Sequence, residues 1–171
     1  GMTKFTDASL FSDFRSDIGY TSVCTPGAVA ALGEMHGRYG SIPWSDLLQP
    51  AIGIARRGFI HRPVSHARVL GETGPYEPDP VTRIHASPDC ARLYFRDDDA
   101  PSDQMITNTD YARTLERLAV SGPDDFYRGE LASAITDDLS KNGSFVTSED
   151  IREYKTNSYS PRQVAYGEYQ V

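Results

Sequence analysis

The sequence predicts a mainly α-helical protein, in which several short helices pack at angles and a small β hairpin closes the C-terminal end. Three observations support this fold class. Apolar residues recur at helical spacing through most of the chain. Proline and glycine divide these runs into short segments. The period changes to alternation only in the last stretch, SYSPRQVAYGEYQV, at 158–171. With 171 residues, the chain is long enough for a real hydrophobic core.

The N-terminal segment gives no clean hydrophobic period, and we expect residues 1–19 to be irregular. Gly1, which precedes Met2, is interpreted as a tag residue. Residues 20–171 are predicted to form one helical region that ends in a strand. No basic start with an apolar stretch indicates a signal peptide, and no apolar run is long enough to cross a bilayer. The compartment is therefore not predicted from this end.

The first helix is predicted between a cap at Thr25, with Pro26 in its first turn, and a stop at Gly40. Pro43 is expected to open a second helix. Pro50 is expected to begin a third, because proline has no N–H to donate inside a helix. The buried stripe of this region is predicted to consist of Leu47, Leu48, Ala51, Ile52 and Ala55.

The middle of the chain is predicted from its turn residues and its short apolar runs. HRPVSHARVLGETG, at 61–74, predicts a short helix, and GPYEPDP, at 74–80, predicts a loop. SPDCARLYF, at 87–95, predicts another short helix, and RDDDAPSDQ, at 96–104, a polar connection.

The C-terminal part carries the strongest helical patterns. One helix is expected from near Asn108 to the SGPDD sequence at 121–125, and PDDFYRG, at 123–129, reads as a helical turn. GELASAITDDLSKNG, at 129–143, predicts a helix that Gly143 stops. The stripes of these two helices are Tyr111, Leu115, Leu118 and Ala119, then Leu131, Ile135 and Leu139.

Two local patterns complete the prediction at the C-terminal end. Thr147 and Asp150 predict a capping box, in which aspartate replaces the usual glutamate. The alternating residues that follow predict two strands, with the hairpin around Tyr166 and Gly167.

Cys24 and His36 are the first candidates for a catalytic pair. They are twelve residues apart, and twelve residues of helix span about 18 Å, so we do not expect them to meet. Cys24 and Cys90 are expected to be two buried thiols, although their separation also permits a disulfide.

No metal or cofactor site is predicted. His61 and His66 lack the glutamate of a zinc-protease helix, and Asp97, Asp98 and Asp99 lack the glycine and closing glutamate of a calcium loop. Asn142–Ser144 matches a glycosylation acceptor but is better explained as a helix-stop turn. Nucleophile elbows, phosphate loops and dinucleotide fingerprints are absent from the sequence. We therefore predict no catalytic, cofactor-binding or metal-ligating residue here and no cofactor.

Net charge gives one exclusion about partners. The formal charge is −7, which argues against nucleic acid and against an anionic membrane surface.

Two long blocks of the sequence resemble gamma-glutamyltransferases, also called gamma-glutamyltranspeptidases. The first, TPGAVAALGEMHGRYGSIPWSDLLQPAIGIARRGF at 25–59, has the family's order of Pro-Gly, Tyr-Gly, Pro-Trp, Leu-Leu, Pro-Ala-Ile and Gly-Phe. The second, at 108–155, has the family's Gly-Pro, Phe-Tyr-Arg-Gly and Thr-x-x-Asp-Ile. YGEYQV, at 166–171, is similar to the strand that follows, so the resemblance covers roughly Tyr20 to Val171.

The resemblance implies that the chain is the middle part of the large subunit of an N-terminal-nucleophile hydrolase with αββα architecture. In such an enzyme a threonine, freed by self-cleavage, attacks a gamma-glutamyl amide such as that of glutathione, with its own amino group as base. The family's threonine and its substrate-carboxylate arginine lie outside this sequence. The resemblance therefore implies an inactive fragment with no site residues of its own.

The resemblance also implies partners. These are the remaining large-subunit and small-subunit segments of a parent protein whose substrate is a gamma-glutamyl compound. The parent's compartment would be periplasmic, extracellular or cytoplasmic. Apolar surface that the missing segments cover would favour self-association of the fragment. The alternative hypothesis is a free-standing helical interaction module that has lost catalysis; a native reading frame that stops near Val171 would favour it.

Overall fold

Helices account for most of the ordered backbone in the computed structural model, which describes residues 18–60, 80–95 and 104–170. The helices are α1 (Ala28–Tyr39), α2 (Trp44–Arg57), α3 (Pro80–His85), α4 (Pro88–Tyr94), α5 (Thr109–Ser121), α6 (Asp125–Arg128), α7 (Glu130–Lys141) and α8 (Ser148–Arg152). The strands are β1 (Phe59–Ile60), β2 (Met105–Ile106), β3 (Ala165–Tyr166) and β4 (Tyr169–Gln170). The predicted mainly α fold class is confirmed. None of the helices described has the length and apolar character needed to span a membrane.

Helix α1 begins two residues later than the sequence signals predicted. Gly27 is the N-cap residue and makes no side-chain cap, so the predicted cap at Thr25 is wrong. Pro26 precedes the helix, and its carbonyl accepts a hydrogen bond from the hydroxyl of Tyr127. The predicted end is confirmed, because the N–H of Gly40 bonds to the carbonyl of His36 and the backbone then becomes extended.

Helix α2 is continuous, and the prediction that Pro50 starts a new helix is wrong. The proline removes one backbone hydrogen bond from the helix. The helix continues because its later half, with Ile52 and Ala55 buried, packs along α5. The predicted stripe is only partly correct, since Leu47 is 46% exposed and Ala51 is exposed as well.

Helices α2 and α5 form the most extensive helix pair among the described elements. From α5, Ala112, Leu115 and Leu118 are buried, whereas Tyr111 of the predicted stripe is 54% exposed. A short ribbon closes the end of the pair, where β1 runs antiparallel to β2 with Phe59 opposite Ile106. The sequence did not predict this ribbon, because each strand has only two residues.

A second apolar cluster forms where α6, α7 and α8 meet. Its buried members are Tyr127, Ala132, Leu139, Val146 and Ile151, and Ile151 is fully buried. The predicted capping box at the start of α8 is confirmed: the Thr147 side chain accepts from the N–H of Asp150, and the Asp150 carboxylate accepts from the N–H of Thr147. The capping box fixes the start of the short helix that carries Ile151.

Of the remaining predicted elements, some are confirmed and others lie outside the described residues. Helix α4 is confirmed, with Ser87 as its cap, and so is the hairpin of β3 and β4, in which Gly167 has a φ of +62°. Helix α3 was not predicted. The N-terminal segment up to residue 17, the helix predicted at 61–74, its following loop up to residue 79, and the connection at 96–103 lie outside the described residues.

Gly58 provides a test of the helix pair. Its φ is +86°, and an added Cβ would lie 2.7 Å from Thr107 Cγ2 and 2.8 Å from the carbonyl oxygen of Ile106. Gly122 has a similar φ of +79° but open space around it. Gly122→Ala should therefore cost only the conformational penalty, about 1–3 kcal/mol. Gly58→Ala should lower the free energy of unfolding by about 1–3 kcal/mol more than Gly122→Ala, because it adds a steric clash. Urea unfolding followed by circular dichroism measures both, and equal losses would contradict the packing described.

Candidate functional site

Cys24 and His36, the sequence candidates for a catalytic pair, have different surroundings in the structure. Cys24 and Cys90 are both free and exposed, so the prediction of buried thiols is wrong. The ring of His36 is committed to local contacts. Its Nε2 lies 2.8 Å from the carbonyl oxygen of Ile42, and its edge packs on Trp44 with the ring centroids 5.4 Å apart. His36 therefore holds the turn between α1 and α2 rather than serving as a base for Cys24.

No metal site is found in the part of the chain that the structure describes. His61, His66 and Asp97–Asp99 lie outside the described residues. Within ranges 18–60, 80–95 and 104–170, no three histidine, cysteine or acidic side chains are grouped as a metal site would require.

Asn142–Ser144 forms the helix-stop turn that the sequence indicated. Asn142 caps α7, and its side-chain nitrogen donates to the carbonyl oxygen of Asp138 at 2.9 Å. Gly143 follows with a φ of +74°. The residues therefore have a structural role as the C-terminal cap of α7.

The sequence blocks at 25–59 and 108–155 meet at Tyr127. Its hydroxyl donates to the carbonyl of Pro26 at 2.8 Å and accepts from the N–H of Ala30 at 3.0 Å. Its ring is buried and stacks on Tyr154, with centroids 5.6 Å apart and 16° between the planes. Burial raises the pKa of the Tyr127 hydroxyl, which keeps it protonated and able to donate. We call Pro26, Gly27, Ala30, Tyr127 and Tyr154 the Tyr127 joint.

Glycines let the backbone of the first block approach the second. A Cβ added at Gly27 would overlap the hydroxyl of Tyr154, and one added at Gly33 would lie 2.6 Å from Cγ of Pro123. Any larger residue would push α1 away from the Tyr127 joint. In the Pro-Gly pair at the start of α1, Gly27 allows close packing on Tyr154, and Pro26 supplies the carbonyl that accepts from Tyr127.

Trp44 makes a further connection between the blocks. Its Nε1 donates to the carbonyl oxygen of Leu118 at 2.8 Å. The same carbonyl also accepts from the N–H of Gly122, the C-cap residue of α5, at 2.9 Å, so the Trp44 bond uses its second lone pair. The bond therefore fixes the start of α2 against the end of α5.

The main charged cluster, which we call the Arg117 cluster, consists of Arg117, Asp125 and Glu130. Arg117 donates from Nε to Asp125 Oδ2 at 2.6 Å and from a terminal nitrogen to Oδ1 at 2.9 Å, a bidentate pair. The other terminal nitrogen of Arg117 lies 2.5 Å from a carboxylate oxygen of Glu130. Asp125 is 8% exposed and also accepts from the N–H of Glu130 at 3.1 Å. The hydrogen bond from Arg117 holds the pKa of Asp125 below its usual range, although burial acts in the opposite direction.

The Arg117 cluster supports the start of α7. Gly129 precedes this helix, and an added Cβ there would collide with the Asp125 carboxylate. The carboxylate thus stands at the N-terminal end of α7, where a negative charge is favourable. Because both Asp125 oxygens are already bonded, the arrangement is suited to holding helices together rather than to moving protons.

In the part of the chain that the structure describes, a concave apolar surface remains after these contacts. It lies between α1 and the start of α2, has a volume of about 530 Å³, and is lined mainly by apolar atoms. Neither this surface nor the Tyr127 joint was predicted from the sequence. Tyr127 could have been suspected from its place in a distinctive Phe-Tyr-Arg-Gly motif, but its partner Pro26 is 101 residues away.

Comparison with known proteins places these features in context. A family model described as Gamma-glutamyltranspeptidase matches residues 3–171. A glutathione hydrolase proenzyme of Pseudomonas aeruginosa is 33% identical over 147 residues, which is 86% of this chain and 24% of that protein. An acylase ACY 1 proenzyme of Pseudomonas sp. strain SE83 is 30% identical, over 93% of this chain and 27% of that protein. The chain thus spans about a quarter of these relatives.

The fold of the chain is also similar to that of a solved gamma-glutamyltranspeptidase. The gamma-glutamyltranspeptidase of Pseudomonas nitroreducens superposes with a TM-score of 0.78 at 28% identity, over 93% of this chain and 44% of that one.

The Tyr127 hydroxyl is predicted to stabilise the fold by its two bonds. Tyr127→Phe should lower the free energy of unfolding by about 1–2 kcal/mol, because it leaves the Pro26 carbonyl and the Ala30 N–H without their partner. Tyr154→Phe is the matched control, since it keeps the stacked ring and removes a hydroxyl that has no part in this bridge. Urea unfolding measures both variants. A loss for Tyr154→Phe as large as that for Tyr127→Phe would contradict the assignment.

Asp125 is predicted to make stability depend on pH. Asp125→Asn should lower the free energy of unfolding by about 2 kcal/mol at pH 7. A folded pKa below the unfolded value means that the stabilisation is complete above about pH 4 and is lost as the pH falls through the folded pKa. The deficit of the variant should therefore shrink below about pH 4.

The control for this pH dependence is Asp124→Asn. Asp124 is exposed and pairs only with Arg128 on the surface, at 3.0 Å, so the change should cost less than about 0.5 kcal/mol. Thermal unfolding at a series of pH values gives both curves. An Asp125→Asn deficit that stays constant from pH 7 to about pH 3 would be inconsistent with the predicted linkage.

Proposed function

We propose, from the premise that the chain belongs to the gamma-glutamyltranspeptidase family, that its 171 residues form a non-catalytic structural part of an enzyme that transfers or hydrolyses gamma-glutamyl groups. We call the longer protein the parent. The parent's nucleophilic threonine and its arginine for the substrate carboxylate would come from segments outside these residues. The remaining large-subunit and small-subunit segments are accordingly its partners.

The observation that supports this proposal most strongly is the Tyr127 joint. It brings together Pro26 and Gly27 from the first family block and Tyr127 from the second. The distinctive residues of both blocks are thus used to hold helices in place. The chemistry of the reaction then has to be supplied by other groups, which is consistent with a structural role for this chain.

The reaction of the parent follows from the family. The threonine hydroxyl attacks the carbonyl carbon of a gamma-glutamyl amide, and the amine leaves after it takes up a proton. Water or a second amine then attacks the acyl-enzyme and frees the threonine. Glutathione is a natural candidate donor, because several relatives are named glutathione hydrolases. The contribution of this chain is to pack its helices beside the catalytic region.

The purified chain is predicted to have no activity of its own. Incubated with gamma-glutamyl-p-nitroanilide, with and without an acceptor dipeptide, it should release p-nitroaniline no faster than a heat-denatured sample. The reason is that no oxyanion hole or activated nucleophile is expected within these residues. The positive control is the full-length protein from the native reading frame, which should turn the substrate over.

Two results would contradict the proposal. Turnover by the chain itself would show that it carries a nucleophile. A native reading frame with no further family sequence would instead favour the free-standing interaction module. The second result needs only the neighbouring genomic sequence, and it separates the two hypotheses without any assay.

A further inference from the structure

The outer face of α1 has no partner among the described residues. The helix has 12 residues and none of them is buried. Leu32, Met35 and Tyr39 are 51%, 55% and 79% exposed. Their spacing of three and four residues places them on one face. Val29 and Ala30 anchor another face of α1 on the α6–α8 cluster, whereas this apolar face is left in solvent, which is typical of an interaction surface.

The face continues into the concave surface described above. Ile42 and Leu47, which are 50% and 46% exposed, extend the apolar surface across the turn to α2. We call the surface formed by these residues with Leu32, Met35 and Tyr39 the α1 groove. Its volume of about 530 Å³ is large enough to receive several side chains.

Two polar side chains that line the α1 groove, His36 and Trp44, are already paired. His36 Nε2 is bonded to the carbonyl of Ile42, and Trp44 Nε1 donates to the carbonyl of Leu118. A polar small molecule would therefore find few free donors here, and burying its own polar groups would be costly. The chemistry of the surface favours an apolar occupant.

The chain's own C-terminal segment reaches one edge of the α1 groove, because Met35 and Tyr39 also border residues 156–159. Glu34 accepts hydrogen bonds from the hydroxyls of Thr156 and Ser158, the latter at 3.0 Å, and pairs with Arg38. These polar contacts occupy the side of α1 beside residues 156–159. The contacts made within the described residues thus leave the rest of the α1 groove open.

We propose that the α1 groove is covered in the parent by an apolar segment of the same polypeptide from outside these 171 residues. The inference rests on the proposed function and names the surface through which the structural part docks. The support for this occupant is the length of the relatives. The matched chain of the Pseudomonas nitroreducens structure contains more than twice the residues aligned here, since the match covers 44% of it.

The test compares the same substitutions in two contexts. Leu32→Glu and Met35→Glu are made in the 171-residue chain and in the full-length protein from the native reading frame. In the chain, both side chains already contact water, so the thermal midpoint should move by less than about 2 °C. In the full-length protein each substitution buries a charge, and the midpoint should fall by about 5 °C or more.

Val120→Glu is the matched control. Val120 lies on α5, is 87% exposed, and is not part of the α1 groove. The same apolar-to-acidic change there should leave the midpoint nearly unchanged in both contexts. A conservative variant, Leu32→Met, should retain the full-length midpoint, because a methionine fills similar apolar space.

Several outcomes would overturn the inference. No shift for Leu32→Glu and Met35→Glu in the full-length protein would mean that the groove stays in water. Equal shifts in both contexts would mean that these residues stabilise the chain itself, and an equal shift for Val120→Glu would mean that the effect is not specific. A concentration-dependent dimer of the chain that Leu32→Glu dissociates, without a full-length shift, would identify a second copy as the occupant.

The proposed function can fail separately. If the full-length protein shows the groove-specific shifts but never turns over gamma-glutamyl-p-nitroanilide, the docking surface stands and the proposed reaction is wrong. If the full-length protein is active and the groove variants leave its midpoint unchanged, the reaction stands and the docking surface is wrong. A reading frame without further family sequence removes the occupant and overturns both.

Discussion

The fold depends on one pair of hydrogen bonds at the hydroxyl of Tyr127. They join the start of α1 to the short helix α6 across about a hundred residues of sequence, through the carbonyl of Pro26 and the N–H of Ala30. The N–H of Ala30 is one of the first N–H groups of α1, which have no acceptor within the helix, and the carbonyl of Pro26 lies just before the helix. A single buried hydroxyl satisfies them together. These two hydrogen bonds fix the position of α1 relative to the α6–α8 cluster. In that position Gly27 lies against Tyr154 and Gly33 against Pro123.

The second level of organisation is electrostatic and local. The Arg117 cluster links the end of α5 to the start of α7, and Trp44 links the start of α2 to the end of α5. Asp125 accepts from an N–H at the start of α7, and Trp44 donates to the second lone pair of a carbonyl at the end of α5. The result is a set of short helices whose ends, rather than their faces alone, determine how they pack. This explains why the family motifs are concentrated at helix boundaries.

The sequence predicted what local physics determines and missed what distant contacts determine. The capping box at Thr147 and Asp150, the stop at Gly40 and the hairpin at Gly167 depend on neighbours within a few residues, and the structure confirms them. Pro50 was misread because burial of Ile52 and Ala55 against α5 outweighs one lost backbone bond. The cysteines were misread because exposure depends on what surrounds a residue in space. The Tyr127 joint required knowledge of a contact across the whole chain.

The β1–β2 ribbon has a consequence for how the protein tolerates change. It ties Ile60 to Met105, so the intervening chain leaves and rejoins the helix pair at neighbouring points. The entropy of closing such a loop grows only logarithmically, by about 0.6 kcal/mol for each doubling of its length. Insertions and deletions between the two strands therefore cost the α2–α5 pair little.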